Sequence, residues 1–533
     1  MRRRPLTSAL NLRQSAAMSA PSVPTPLKYL SLLRLFIDAS DMATMNFLKA
    51  TQFNLAQSQY LQAAHSASLD FSTGTNANTF SIEIWRNTTL SGTSRCYVSK
   101  DIFNTSGKRG WAARASGTAG HESQVEFWSW NSSASAYGAI VTTNAPSNWS
   151  HCVIAVDMTV PTVSLYFDGS TTPATTTALQ GTLGILPTGQ TAPLLLGAWN
   201  FGTSGGVTNF YDGAMASIRL WRQALAPGFV PALFNGGFPA PYAYLGGAQK
   251  TNLVAAWDLT EASGMRFDST ANANHLSEQN GPLGQATLCR SLFERGPRGY
   301  QFHALRFNYA PPWIAQSPIN NAPALRMCGQ HWMRASAPGF CNDCRAGDIL
   351  TVLRPTDLSL ANFDYAILTA DKESYDGNFT YLFPMFYNAA LQTRIRRNAA
   401  TTINGQISGT ATYNSGSTYV TNQRGFGAGG AASFAYRVNG VANPIDLTYG
   451  NFGTDGTNTQ NQWYASLEGV DSLILGGLDY DPGMAIEGPY SIQARFAGYL
   501  STVLIYGATT ANGSLSDSQN LAVENWARQL ANV

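Results

Sequence analysis

From about residue 51 to the C-terminus, short runs recur in which every second residue is apolar. In Phe80-Ser81-Ile82-Glu83-Ile84-Trp85 the side chains of Phe80, Ile82 and Ile84 share one face, and Val163, Leu165 and Phe167 do the same in the run Val163 to Asp168. That period of two is the period of a half-buried strand. Clusters of Gly, Asn, Ser and Asp separate the runs, and Asp168-Gly169 and Asn439-Gly440 read as two-residue hairpin turns, whose central positions both need positive φ. The spacing predicts an all-β chain of antiparallel sandwiches. Helix is expected at the C-terminus, where Ser516 and Gln519 form a capping box ahead of the stripe Leu521, Val523, Trp526 and Leu530. Residues 1–50 lack strand alternation. Leu27 to Phe47 has helix-like apolar spacing and reads as an arm or docking helix, packed on the first sandwich or on a neighbouring subunit through Leu30, Leu33, Leu35, Phe36 and Met42.

The strand signatures are written twice, in one order, about 270 residues apart. Gln57 to Ala63 answers to Gly329 to Ala335, Phe80 to Trp85 to Asp348 to Leu353, and Tyr97 to Asp101 to Ile367 to Asp371. Leu165 to Gly169 then answers to Tyr436 to Gly440, and Tyr211 to Trp221 to Phe496 to Tyr506. A repeat on this scale predicts two copies of one domain. The expected division is an arm over 1–50, one sandwich over 51–245, a connecting segment over 246–300 and a second sandwich over 301–533.

Composition narrows the classes of function. Of the 533 residues 44% are apolar, enough for two cores, while 12% are charged, about half the usual share. A net charge of +2 argues against a nucleic-acid footprint. No apolar run approaches the ~18 residues of a membrane helix. Met1-Arg2-Arg3-Arg4-Pro5 is basic like the start of a signal peptide, but Leu6 to Ala20 has no apolar block, so no clear secretory signal is read. Six cysteines are too few for a disulfide scaffold.

Several strings resemble the laminin G-like, concanavalin A-like jelly-roll superfamily, in the tandem form found in bacterial surface and phage-encoded proteins. Phe53 to Leu61 is similar to its opening strand, Asn148 to Asp157 to its W-x-H-V strand, and Tyr166-Phe167-Asp168-Gly169 to its Y-V-D-G hairpin. Leu233 to Gly237, followed by Leu253 to Gly264, is similar to the run that closes one repeat and opens the next. The second copy departs, lacking a recognisable W-x-H-V strand and carrying Cys328 near the usual Asp of F-D-G. The resemblance implies two antiparallel sheets face to face, in a superfamily of lectins, adhesion modules, pentraxins, glucanases and plain structural domains, so fold does not settle function.

A glucanase of this fold would carry paired carboxylates on an E-x-D-x-x-E strand. No such string occurs; on the strand around His121 to Trp130, Glu122 and Glu126 share a face but stand roughly 13 Å apart. No enzyme activity is expected. The same strand is the best binding candidate, since Glu126, Trp128 and Trp130 share one face opposite His121, Val125 and Phe127. Trp128 and Trp130 would stack on sugar rings, with Glu126 and Asn131 as polar contacts; the competing reading buries both tryptophans in the core.

Cys328, His331, Cys341 and Cys344 have spacings that suit zinc, one disulfide, or free buried thiols. Cys96 and Cys152 read as core residues. Laminin G-like domains often hold calcium through loop carboxylates, which puts Asp168, Asp212 and Asp268 forward, although Asp-Gly is a turn signal without any metal. Asn87, Asn104, Asn131, Asn148, Asn378 and Asn512 open N-x-S/T sequons. The expectation is a non-catalytic protein of a virion or cell exterior, binding glycans or a partner surface, as a homo-oligomer or within a virion assembly. The alternatives are a purely structural assembly protein and a glycoside hydrolase.

Overall fold

Thr79–Thr88 shows why this chain makes strands: Phe80, Ile82 and Ile84 are fully buried on one face, and hydrogen-bonded neighbours flank it on both edges. A computed structural model describes residues 33–39, 45–508 and 515–533, apart from loop residues, chiefly 89–93, 117–123, 142–148, 202–205, 305–308, 341–343, 359–363, 372–380, 397–403, 426–433, 447–471 and 480–491.

In the first sandwich one sheet runs Thr162–Phe167, Ser150–Asp157, Thr79–Thr88, Gly213–Trp221, every pair antiparallel. The facing sheet runs Thr176–Gln180, Ala136–Val141, Val125–Trp130, Trp111–Ala115, Arg95–Lys100, Leu194–Leu196, Tyr60–Ala63, Ser277–Gln279. Between them Ile82, Ile154 and Leu220 meet Phe127, Val98 and Leu196 in one core. At the Asp168-Gly169 turn the two residues have φ of 47° and 83°, and at Asn439-Gly440 50° and 82°, the left-handed pair that a tight hairpin needs.

The second sandwich has a sheet ordered Phe434–Val438, Tyr419–Gly425, Ala346–Pro355, Ala497–Ala508, Ala324–Cys328. Ala346–Pro355 thus holds the place of Thr79–Thr88, and Tyr419–Gly425 the place of Ser150–Asp157, although it has no W-x-H-V pattern. The facing sheet contains Met333–Ser336, Ser472–Leu475, Leu368–Asp371, Tyr381–Tyr387, Ala390–Arg396 and Asn404–Thr412. Through Gln301–His303, Gly284–Phe293 and Met45–Phe53 it continues into the first sandwich, making one sheet of 16 strands.

Three expectations are corrected here. Leu33–Asp38 is a strand, not part of a docking helix, and it pairs with Ala497–Ala508 so that Leu35 and Ile37 join the core of the second sandwich. Met45–Phe53 is also a strand, so the expected boundary at residue 50 falls inside it. The helix-like spacing misled because Leu33–Asp38 is buried on both faces; Phe36 meets Trp526 edge-on at 6.1 Å. A run buried on both faces is apolar almost throughout and carries no clean period. Residues 246–300 likewise are no mere connection: Leu253–Trp257 pairs with Gly213–Trp221, and Ser277–Gln279 with Tyr60–Ala63.

The C-terminal helix Asp517–Ala531 starts at Ser516, whose hydroxyl accepts the Gln519 N–H while the Gln519 side chain caps Ser516 in return. Its buried stripe is Asn520, Val523, Glu524, Ala527 and Ala531, and Leu521 is exposed instead. The two polar members are buried because the sheet beneath supplies partners. Asn520 donates to Asp348 at 2.7 Å, Asn422 donates to Glu524 at 3.1 Å, and Arg437 pairs with Glu524 at 2.9 Å.

Burial pushes the Asp348 carboxyl up to about 7, against Arg424 at 3.0 Å and the Asn520 bond, with Asp517 nearby adding to the rise. A raised folded-state value means that the stability tied to this group is present below the unfolded value and is lost as pH climbs to about 7. In denaturant titrations at pH 4.5 and 7.5, the stability of the parent relative to Asp348→Asn should therefore fall at the higher pH. A margin that grew with pH would overturn the assignment.

Candidate functional site

The strand Val125–Trp130 sends Val125 and Phe127 into the first core, and the alternation turns Glu126, Trp128 and Trp130 to the outer face of the sheet. Both indoles are half-buried there, which is neither the core reading nor full exposure. His121 and Glu122 lie outside the described residues.

Register builds the surroundings of these rings. Trp128 is paired with Ala112 on one side and Gly138 on the other. A Cβ at Gly138 would stand 3.0 Å from the indole, so the missing side chain there is what lets the ring lie across the sheet. Trp128 packs against Cys96, Ala112 and Trp199 in a small cluster on the outer face. The Arg114 guanidinium stands over both rings, 5.0 Å from Trp128 and 5.3 Å from Trp199, and Arg109 stands 5.2 Å over Trp130. Phe201, 37% exposed, extends the surface 4.5 Å from Trp199.

Two buried carboxylates hold this platform. Glu126 is fully buried; its Oε2 accepts from the Trp128 indole at 2.7 Å and from Arg114 at 2.6 Å, and its Oε1 from the Ser116 hydroxyl. Asp101 accepts from the Trp199 indole at 2.9 Å, from Gly110 N–H at 2.7 Å and from the Trp130 side chain. Burial pushes the Asp101 carboxyl up to about 6, against those three bonds and Arg109. Each tryptophan of the platform thus has its indole N–H tied to a carboxylate.

Expected roles change accordingly. Glu126, with no exposed surface, is a positioning residue and not a polar contact for a ligand. The Asn131 Oδ1 serves its own turn, accepting from Ser133 N–H at 3.1 Å and Ser135 N–H at 2.9 Å. Arg109, Arg114, Asp101, Trp199, Phe201 and Gly138 were missed, because only the register of neighbouring strands brings them to Trp128 and Trp130. A partial signal existed in Gly138, a glycine inside a strand, which often marks close approach.

Among the described residues the metal candidates are not gathered. Cys344 is buried in the second core, Cys328 is exposed, and Cys341 lies outside the described residues. Among the described residues no three His, Cys, Asp or Glu side chains cluster as metal ligands would. The Asp268 carboxylate accepts from Ala256, Thr270 and Asn274 N–H groups, which makes it a loop anchor, and Asp168 accepts from His151 N–H. Cys152 is in the core as expected, whereas Cys96 is buried on the outer face; burial pushes both thiols up to about 12. Of the sequons, Asn104, Asn148, Asn378 and Asn512 lie outside the described residues.

Residues 55–230 match the family model described as the concanavalin A-like lectin/glucanases superfamily. The first sandwich is a concanavalin A-like domain. No curated protein sequence matches the chain. Among solved structures, a protein of Bacteroides ovatus ATCC 8483 is similar at 14% identity and a TM-score of 0.33, over 46% of this chain; the chain spans 60% of that protein. The Ruminococcus gnavus IT-sialidase CBM40 bound to alpha2,3 sialyllactose is similar at 13% identity and a TM-score of 0.25, over 34% of this chain and 84% of its own. The binding domain of botulinum neurotoxin serotype C1 is similar at 9% identity and a TM-score of 0.28, over 88% of this chain and 99% of its own. The concanavalin A-like domain carries the tryptophan platform on the outer face of one of its sheets. No helix among the described residues is long and apolar enough to cross a membrane.

Proposed function

We propose that this protein is a non-catalytic, carbohydrate-binding protein of a cell or virion exterior, built from two copies of one sandwich. The observation that carries the reading is the outward row of half-buried Trp128 and Trp130, with exposed Phe201 nearby and the buried Trp199 packed against Trp128. Rings of this kind offer apolar faces to the C–H faces of sugars, while their N–H groups are already satisfied. Successive outward positions repeat about every 6.8 Å along a strand, which suits consecutive sugar units. A binding role and not hydrolysis is supported by Glu126 and Asp101, both buried and fully engaged as acceptors, so that neither offers a free acid or base at the platform. The shared sheet order of the two sandwiches supports the duplication.

The test is a glycan array with the parent and Trp130→Ala. Loss of one stacking ring should weaken the bound glycan by about 0.5–1.5 kcal/mol, or roughly 2- to 10-fold, with little change in melting temperature. Trp128→Ala should also destabilise, since that ring packs against Cys96 and Trp199. An array on which the parent binds nothing, or on which Trp130→Ala binds like the parent, would leave a purely structural assembly role.

A further inference from the structure

Where Gly284–Phe293 passes from the first sandwich to the second, a cleft of about 640 Å³ opens beside it, within the size range of small-molecule sites. Its walls include Asn87 and Trp149 of the first sandwich, Thr287 of the bridging strand, and Trp313, Arg326 and His331 of the second. Among the described residues no aspartate or glutamate lines it. Arg326 is exposed, and among the described residues its backbone alone is hydrogen-bonded: its N–H donates to Pro312 O at 2.8 Å and its carbonyl accepts from His331 Nδ1 at 3.2 Å. Among the described residues of the lining the guanidinium has no counter-charge, unlike that of Arg114, which Glu126 neutralises on the platform.

The other polar groups suit hydroxyls. The amide of Asn87 and the hydroxyl of Thr287 are half-buried and face no carboxylate in this lining. His331 gives its Nδ1 proton to a carbonyl, which leaves Nε2 an acceptor. The Trp313 indole donates to Ala39 O at 3.0 Å, which fixes its ring in the wall. An uncompensated guanidinium is made for a carboxylate, which it can hold through two parallel bonds. We infer that the cleft is a second binding site, separate from the tryptophan platform, for a small saccharide that bears a carboxylate.

Cys328 lines the same cleft and is exposed, whereas Cys96, Cys152, Cys289 and Cys344 are buried. Its thiol therefore reports occupancy of the cleft, and a Cys328→Ser chain identifies its signal. The rate of Cys328 alkylation would be measured in the full chain with glucuronate, galacturonate and N-acetylneuraminate, each against its neutral counterpart, glucose, galactose and N-acetylmannosamine. At least one acidic sugar should protect Cys328 at concentrations about tenfold below its neutral counterpart, as expected of a hydrogen bond to a charged group. Arg326→Gln should abolish that preference, and Trp130→Ala should leave it unchanged. The proposal is overturned if no sugar protects, if neutral sugars protect equally, if Arg326→Gln protects like the parent, or if inorganic phosphate protects as well as the acidic sugars.

Discussion

Replacing Glu83 with alanine should cost the first sandwich about 3–5 kcal/mol, the range for removing one partner of a buried ion pair. Glu83, Arg219 and His151 are all fully buried on the sheet face beneath residues 225–245. Arg219 Nη1 meets the two Glu83 oxygens at 3.0 and 2.9 Å, and His151 Nε2 lies 3.2 Å from Oε1. Without the carboxylate the guanidinium keeps, among the described residues, Asp258 at 3.3 Å and the Ala240 carbonyl. Urea unfolding should show a lower midpoint at unchanged slope. Glu83→Leu with Arg219→Leu should recover most of the loss, because neither charge is then buried. A cost below about 1 kcal/mol for the single change would show that water reaches this network. Burial pushes the Glu83 carboxyl up, but Arg219 and the His151 bond outweigh it and hold the group low. Its contribution is thus present above the unfolded value near 4.5 and is lost as acid titrates the carboxylate below that.

The second large effect falls on the platform. Glu126→Ala removes the acceptor of three donors at once, those of Arg114, Ser116 and Trp128. Arg114 is 13% exposed, so some water can reach it, and the expected loss is about 2–4 kcal/mol. The more telling readout is binding. With the Trp128 indole untied, glycan affinity should fall by more than the Trp130→Ala loss, and tryptophan emission should shift red in the folded protein. Glu126→Gln keeps an acceptor for Trp128 and should retain part of the affinity. If Glu126→Ala folds and binds like the parent, the carboxylate does not position the ring.

Elements with one apolar and one polar face were legible. Phe80, Ile82 and Ile84 alternate because one face of their strand meets an apolar core, while the opposite face, also buried, carries the polar Ser81 and Glu83, and Asp168-Gly169 makes its turn from local chemistry alone. The capping box at Ser516 and Gln519 is equally local. Legibility ended where a partner arrives from far along the chain. Leu33–Asp38 has no period because sheet neighbours, a core and a helix cover it together. Asn520 and Glu524 look like solvent-facing helix positions until Asn422 and Asp348 appear beneath them. At the platform, alternation placed Glu126, Trp128 and Trp130 on one face, but not Arg114 opposite Glu126 or Asp101 beneath Trp130. Those depend on strand register, which no single run of residues encodes.

The pairing of Leu33–Asp38 with Ala497–Ala508 sets an order of events during synthesis. Arg34 and the Gly507 carbonyl that it contacts are 473 residues apart. At about 5–20 residues per second, the strand leaves the ribosome roughly 25–95 s before its partner exists. The first sandwich can close in that interval, since its strands from Met45–Phe53 to Ser277–Gln279 have already emerged. Leu35 and Ile37 must meanwhile stay uncovered or be sheltered by a chaperone. The second sandwich therefore completes only after the last strand is made, and a nick anywhere between the two leaves its earliest strand on the other fragment.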